Sequence, residues 1–503
     1  MLNNFALCLC ACVLGACFLR QLQFLQQSGG KTVVGVKMMR AIPRLVIGAP
    51  HGRSGKTTAT IGLLAALVSE KGLSVQPFKK GPDFIDPGWL TRVAGRECRN
   101  LDSFLMDRAD ILASFLTSAA GADLGVVEGA MGLYDGVDLE GSGSTAEIAK
   151  IIQAPVVLVV DCTRLTRSVA ALVMGFLHFD PHLKIVGVIL NKVARPRHEE
   201  MLRAALKTYC GVPVLGVIPK GEKLCIPDRH LGLVPVAEDG EPAQKIREIG
   251  RAAARYFDLD ALLQAAGDAP ALEEKELSFA GCTPAGPVTV GIFKDRAFTF
   301  YYPENLEALK ACGAKIAVID SLGHSSLPAV DALYLGGGFP EIFAAELEAN
   351  AGLRDAVRRA VKAGLPVYAE CGGLMYLARE LHWRGKIYRM SGALPFDVAL
   401  TDRPQGHGYE IIETVGENPF IPVGTTIKAH EFHHSRVVNL DLSRVRFAFR
   451  VRRGWGIDGL NDGLVYQNVL AAYAHVHALA APHWARWLVE KAAGGNATWI
   501  CDE

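Results

Sequence analysis

Between residues 44 and 265 the chain alternates short apolar runs with longer stretches of helical period. "RLVIGAP", "DLGVVEGA", "APVVLVVD", "KIVGVILNK" and "VPVLGVIP" are each bounded by Gly, Pro or polar residues. Continuous Val/Ile/Leu runs separated by helices predict parallel strands covered on both faces. "TTATIGLLAALVSEKG" predicts an amphipathic helix that stops at Gly72. Residues 266–286 carry Pro, Gly and charge without periodicity and read as a linker. The pattern then restarts with "VTVGIF", the helix "YPENLEALKACG", "KIAVI", "DALYLGGG", the helix "AAELEANAGLRDAVRRAVKAG" and "LPVYAE". Residues 385–470 are richer in strand-like and turn-like segments. The expected fold class is α/β, with two doubly wound, mostly parallel-sheet domains at 39–265 and 287–495.

Composition narrows this picture. A chain of 503 residues has room for two or three domains with full cores. It is 50% hydrophobic and 21% charged, as a globular protein is, and a net charge of +1 gives no signal for nucleic acid or an anionic membrane. The twelve cysteines form no CxxC pair. They constitute neither a disulfide framework nor a zinc ribbon, and they fit a reducing cytoplasm. Residues 1–38 stand apart. "FALCLCACVLGACFL" is apolar but short for a span, and no basic segment precedes it. "LGAC" has the look of a lipoprotein cleavage box, whereas Met38-Met39 just before "RAIPRLVIGAP" is a place where an ordinary enzyme can begin. The expectation is a non-functional or mis-assigned leader rather than an export or anchor segment.

Candidate chemistry gathers at two places. The first is "GAPHGRSGKTT", which joins a strand to a helix. Backbone N–H groups of such a loop, Gly52 and Gly55 among them, and the helix dipole cradle phosphate. Lys56 then neutralises phosphate oxygens, Thr57 ligates Mg²⁺ through its hydroxyl, and Thr58 joins them as an ATP-binding candidate. In the usual GxxxxGK[ST] spelling the first glycine falls on Pro50, so the motif is imperfect. Asp83 and Asp86 in "KKGPDFIDPG", with Glu128 and Asp135 in "VVEGAMGLYDG", are hard oxygen ligands suited to Mg²⁺. They fall where ligands gather in open parallel sheets. Asn191 ends the "VILNK" strand and is either an adenine contact or a turn cap.

The second place is "VYAECGGLMYL". Cys371 ends a strand and precedes two glycines, as a nucleophile at a tight elbow must. A buried structural cysteine is the plainer reading of the same residue. The Gly372 N–H would face a developing oxyanion, and "LGGGFPE", with Gly338, offers a second donor. "AAYAHVHALAAP" offers His475 and His477, which in a strand share a face; either would serve as the base.

A cysteine elbow, a GGG loop and a downstream histidine make this second region resemble the class I glutamine amidotransferases. Residues 44–490 as a whole are similar to the cobyrinate a,c-diamide synthases, whose N-terminal half is dethiobiotin-synthetase-like. The resemblance is carried, in order, by "GRSGKTT", "FKKGPDFIDPGW", "NLDSFLM", "EGAMGLYDG", "GSTAEIAK", "GGGFPE", "AECGGLMYL", "GHGYE", "HEFHHS" and "AAYAHVH". It implies a P-loop ATP-binding synthetase domain followed by a glutaminase domain. It implies Cys371 as nucleophile, His475 as its base, and Lys56 and Thr57 binding ATP and Mg²⁺. It implies Asp83 and Glu128 as Mg²⁺ or phosphate ligands, and Phe84, Ile85 and Asp135 as residues that position the acceptor. The implied partners are small molecules: a polycarboxylate tetrapyrrole, glutamine and ATP. Many amidotransferases carry an acid two residues after the histidine; here that position is His477, so the third member of the triad is open. Phe84 stands where many relatives have Tyr, which leaves the order of amidation open.

Rival readings remain at this level. "HEFHH" spells the zinc-hydrolase pattern HExxH, but its surroundings alternate like a strand rather than a helix. A partner-binding P-loop ATPase with a degenerate second domain, and the same chemistry on hydrogenobyrinate, sirohydrochlorin or siroheme, are the others. Apolar edge segments permit a homodimer.

Overall fold

The computed structural model describes residues 38–221, 228–229, 232–233, 242–279 and 287–494. The chain divides into Met1–Arg40 and Ala41–Glu503. Of the first unit only residues 38–40 are described, with a strand at Met39–Arg40, and the expected leader otherwise lies outside the described residues. Everything below concerns the second unit. Among the described residues no helix is long and apolar enough to cross a membrane.

Seven parallel strands form the first sheet, in the spatial order Arg99–Leu101, Val75–Lys80, Leu124–Glu128, Arg44–Gly48, Val156–Asp161, Ile185–Val193, Val214–Pro219. The predicted runs all lie on these strands. Alternate side chains enter two cores, one on each face: Val46, Val127 and Val160 on one side, Ile47, Val126 and Val159 on the other. A strand buried on both faces has no polar positions to alternate with, so its sequence is continuously apolar. The helix Lys56–Lys71 ends at Gly72, which adopts the left-handed conformation glycine tolerates best. It is not amphipathic in the expected sense. Residues 59–67 are buried all round, because the helix Pro242–Tyr256 covers its outer side. Gly62 and Gly250 permit this approach: a Cβ on Gly250 would lie 2.8 Å from that of Ala65.

The second sheet has ten strands. Ala314–Ile319, Val288–Phe293, Ala332–Leu335, Val367–Glu370 and Val469–Ala472 are parallel, as expected. Asn461–Tyr466, Arg446–Arg453, Gly406–Thr414, Thr426–His433 and His475–Val476 continue it antiparallel. The sheet is therefore α/β with an antiparallel extension drawn from the strand-rich part of the sequence. Only two residues separate Val469–Ala472, in mid-sheet, from His475–Val476, at its far edge. The extension must curl back over the parallel strands to receive that edge. The helix expected across 344–364 is two helices, Ala344–Ala349 and Ala351–Lys362. Asn350 divides them by leaving helical geometry and accepting a hydrogen bond from Leu353 N at 3.4 Å. The expected linker is partly built in: the helix Leu259–Gly267 reaches into it, and Pro270 O accepts a 2.6 Å hydrogen bond from the Arg44 guanidinium.

Candidate functional site

At the C-terminal edge of the first sheet the loop 49–55 leads into the helix at Lys56. Gly55 has φ +93°, and a Cβ there would fall 2.1 Å from Asn191 Nδ2. Only glycine meets both demands. Asn191 Nδ2 donates to Ser54 O at 2.8 Å, while its Oδ1 accepts from Lys192 N. Asn191 thus braces the phosphate loop from below through both of its polar atoms. Gly52, beside Met131, lies on the outer turn of the loop. Lys56 Nζ donates to Met131 O at 2.6 Å. Its burial, with the neighbouring Lys79 charge, lowers its pKa to about 8. An arriving polyphosphate would restore the full charge. Thr58 is half-buried one turn into the helix.

Adjacent strands bring Lys79 and Glu128 into register, side by side. Lys79 Nζ is 2.5 Å from Asp86 Oδ2, 2.8 Å from Glu128 Oε1 and 3.6 Å from Asp83 Oδ2. Thr57 Oγ1 donates to Glu128 Oε1 at 2.6 Å. The ammonium is almost fully enclosed, yet three carboxylates hold it protonated against the cost of burial. One cation does not satisfy three acids. Burial and the neighbouring Asp86 charge raise Asp83 to about 6, and burial raises Glu128 to about 7. Glu128 Oε2 is buried with no partner. The donor set is all oxygen, and one oxygen is orphaned, so these residues fit a hard divalent cation such as Mg²⁺. Lys79 completes the cluster that sequence reading built from Thr57, Asp83, Asp86 and Glu128. The signal for it was its place in the carboxylate-rich "KKGPDFID". Asp135 closes a turn by accepting from Gly132 N at 2.8 Å, within electrostatic reach of Lys56.

In the second half Cys371 caps the strand Val367–Glu370 at φ +46°, ψ −99°. A non-glycine residue held there stores roughly 1–3 kcal/mol of strain. Its amide is clamped to Ala472 O at 2.8 Å. The thiol is buried, and desolvation with the nearby Glu341 charge keeps it protonated, against the pull of the Gly372 N–H. A Cβ on Gly372 would lie 2.9 Å from the Gly338 amide nitrogen, so the two expected oxyanion donors are neighbours. Gly338 has φ +157°, and a Cβ on it would strike Ala297 O at 2.0 Å. On the same loop, a Cβ on Gly337 would come 2.4 Å from His475 Cε1 and 3.3 Å from Nε2. Loop 336–338 is thus bordered by the elbow on one side and the Cε1–Nε2 edge of His475 on the other. Among the described residues no hydrogen bond joins thiol and imidazole. Burial depresses the His475 pKa to about 3, so the ring is neutral.

His475 and His477 do not share a face. The strand ends at Val476, and His477 turns toward Glu304, Nε2 to Oε2 3.6 Å. Arg99 of the first sheet approaches the same Glu304 at 3.4 Å. His430–His433 of the HEFHH segment lie on the strand Thr426–His433 and His434 follows its end, so the zinc-hydrolase reading is corrected: residues four apart along extended chain are separated by roughly 13 Å, not brought to one helix face. Glu431 is engaged by Trp455 N and Gly456 N. Instead, the curled sheet sets His430 opposite His475, ring centroids 6.1 Å apart.

The two regions meet at Phe84. This residue sits between Asp83 of the carboxylate cluster and the buried Ile85, at the start of the helix Ile85–Ala94. Its ring stacks on Phe300 at 4.9 Å and 11°, and lies 4.6 Å from Tyr302 and 5.2 Å from His475. Asp102 and Tyr409 form a second bridge, 2.5 Å from oxygen to oxygen, with Phe104 stacked on Tyr409. Sequence reading missed both bridges, because their members are more than 200 residues apart in the chain.

The CobQ/CobB/MinD/ParA nucleotide binding domain family matches residues 45–234, and the CobB/CobQ-like glutamine amidotransferase domain family matches residues 289–483. A cobyrinate a,c-diamide synthase of Magnetococcus marinus is 49% identical, over 89% of this chain and 96% of its own. One of Archaeoglobus fulgidus is 42% identical, over 90% of this chain and 98% of its own, and one of Listeria innocua 39% identical over 86% and 96%. A phosphate loop beside a cation-ready cluster, and a strained cysteine elbow whose neighbouring glycine loop borders His475, are what a nitrogen-transferring ATP enzyme requires. With that geometry and these relatives, the chain belongs to the cobyrinate a,c-diamide synthase family of glutamine-hydrolysing ligases.

Proposed function

We propose that the protein amidates the a and c acetate carboxylates of cobyrinate, in cobalamin biosynthesis, with ATP and glutamine. The observation that carries this reading is the contact of Phe84 with His475, which puts the carboxylate cluster and the cysteine elbow on two sides of one wall.

A carboxylate is a poor acyl donor. In the synthetase site the loop amides around Gly52 and Gly55 and the Lys56 ammonium hold the triphosphate, and an acetate oxygen of the acceptor attacks the γ-phosphorus, breaking its bond to the β,γ-bridging oxygen so that ADP leaves and an acyl phosphate forms. Mg²⁺, held by Thr57, Asp83 and Glu128, would neutralise charge on the transferring phosphoryl group. Phe84, Ile85 and Asp135 position the acceptor in this reading. In the glutaminase site the Cys371 proton passes to His475 Nε2 as sulfur attacks the glutamine side-chain amide carbon. The Gly372 and Gly338 amides receive the oxyanion. Collapse breaks the C–N bond, the imidazolium returns its proton to the leaving nitrogen, and ammonia departs. Water then hydrolyses the γ-glutamyl thioester. Ammonia displaces phosphate from the acyl phosphate and gives the amide. A nitrogen released within the protein stays unprotonated and nucleophilic, whereas free ammonia near neutral pH is mostly ammonium.

The test is Cys371→Ser assayed with cobyrinate and related tetrapyrroles, counting added amide groups by mass. Glutamine-driven amidation should vanish, and amidation driven by high ammonia should continue to two amides on cobyrinate. Failure of ammonia to rescue, with ATP binding intact, would refute the two-site scheme. Preference for another tetrapyrrole would transfer the chemistry to that acceptor.

A further inference from the structure

The residue two places after His475 is a histidine that faces away from it, so the base needs another group to orient it and to accept its charge. On the structure that group precedes the nucleophile. His475 Nδ1 is buried with no hydrogen-bond partner, and 3.8 Å from it lies Glu370 Oε2. Both side chains are about 2% exposed. The opposite edge of the imidazole faces the loop that abuts the elbow. From the geometry we infer that Glu370 is the positioning carboxylate of the glutaminase site, directing Nε2 of His475 toward Cys371 and balancing the imidazolium formed during thiol deprotonation. This rests on the reading of His475 as the base.

Three observations make the placement more than proximity. Glu370 Oε1 accepts the Val476 N–H at 3.0 Å, which fixes the backbone beside His475. Oε2 accepts from the Tyr334 hydroxyl at 3.0 Å. Asn305 Nδ2 in turn donates to Tyr334 Oη at 3.1 Å and to Val476 O at 2.7 Å, closing a network around both residues. A carboxylate so held has a remaining lone pair for an Nδ1–H, and an Nδ1–H leaves Nε2 as acceptor. Sequence position also matters: as neighbours across one peptide bond, Glu370 ends the strand and Cys371 makes the elbow, so base and nucleophile are referenced to one rigid element.

The pair differs from a permanently ionised one. Burial raises the Glu370 pKa to about 8, with the Val476 amide and the Tyr334 hydroxyl pulling it back. Tyr334, Tyr368 and His475 face it; His430 and His433 face His475; Glu341 and Asp462 act on the thiol. Near neutrality Cys371, His475 and Glu370 therefore rest uncharged. The carboxylate accepts the Nδ1–H when ionised, so the glutamine reaction gains rate as pH rises through that range.

The experiment compares Glu370→Gln, Glu370→Asp and His475→Ala in the full-length protein, with glutamine and with high ammonia. Glu370→Gln presents an amide N–H to Nδ1 and favours the wrong tautomer. It should lower kcat with glutamine by about 10²-fold or more and remove the alkaline-rising limb of the pH profile. Ammonia-driven amidation should stay at the wild-type rate, which shows the fold intact. Glu370→Asp should restore part of the rate and the limb. His475→Ala should lose glutamine use altogether. If His475→Ala is dead with glutamine while Glu370→Gln matches wild type in rate and pH profile, the inference is overturned and the base stands. If Glu370→Gln also loses the ammonia reaction, its role is structural and the inference is overturned. Retained glutamine use in His475→Ala would overturn the base itself, and this inference with it.

Discussion

The two sites of this chain treat buried charge in opposite ways. In the first sheet, Lys79 is held protonated among Asp83, Asp86 and Glu128, and the burden falls on the acids, two of which rise to about 6 and about 7. In the second, thiol, imidazole and carboxylate are all neutral at rest: Cys371 is pushed up, His475 down to about 3, and Glu370 up to about 8. The contrast fits the tasks proposed for the two sites. A phosphoryl-transfer site receives polyanions and a metal, so it needs fixed charges that repay desolvation once those arrive. A thiol–imidazole site must move a proton, and groups that start neutral ionise together only when substrate makes the transfer favourable. Phe84 and its ring partners separate the two environments while keeping them in contact.

Four perturbations would break or sharpen this contrast. The largest is Lys56→Ala. It should cut synthesis by about 10²–10³-fold with either nitrogen source, because one fixed charge on the transferring phosphoryl group is lost. Glutamine hydrolysis alone should persist, and loss of both activities together would deny the independence of the sites. Next is Lys79→Ala, which strands the carboxylates of Asp86 and Glu128. A destabilisation of about 3–5 kcal/mol is expected in thermal or denaturant melts, partly relieved by Mg²⁺. An unchanged melt would mean the cluster is not a strained charge reservoir.

The third concerns pH. Asp83 and Glu128 have folded pKa values above their ordinary ones, so the stability they contribute is full below about pH 4 and is lost as pH rises to about 7. Cation binding runs the other way, since it requires the deprotonated acids. The Mg²⁺ concentration for half-maximal ammonia-driven synthesis should rise about tenfold between about pH 8 and about pH 6. A flat dependence over that range would remove Glu128 and Asp83 as ligands. The smallest effect is Phe84→Ala. Ring contacts of this kind contribute about 0.5–1.5 kcal/mol each, so the ratio of glutamine-driven to ammonia-driven rate should fall a few-fold. An unchanged ratio would show that the shared wall is only packing.

Much of the site was legible before any coordinates. Cys371, Lys56, Thr57, Asp83 and Glu128 stand in glycine-containing segments that follow or end parallel strands, where chain direction alone brings functional groups to one edge of a sheet, whereas His475 was read from its residue type and place in the chain order. Gly338 was legible as part of a glycine-rich loop, although its φ of +157° and its contact with Ala297 O explain the need for glycine only in three dimensions. Lys79 was missed because a lysine in a strand reads as surface until its neighbours are known. That Asn191 braces the loop at Ser54 was likewise invisible, because the two are 137 residues apart. The burial of the helix Lys56–Lys71 was illegible too, because its covering helix comes from residues 242–256, beyond the reach of any local period.

By itself the sequence determined the α/β class, the order of elements and the identity of the phosphate loop and the elbow. Those depend on local periodicity, on glycine's freedom and on residue types at short spacing. The tertiary structure alone decided that His477 leaves His475 for Glu304, that Glu370 stands beside His475, and that Phe84 joins the two regions. Each depends on the antiparallel strands curling back over a parallel sheet and on two halves packing together. Such contacts form between groups up to several hundred residues apart, so they are set by the register and packing of whole layers, which no local stretch of chain encodes.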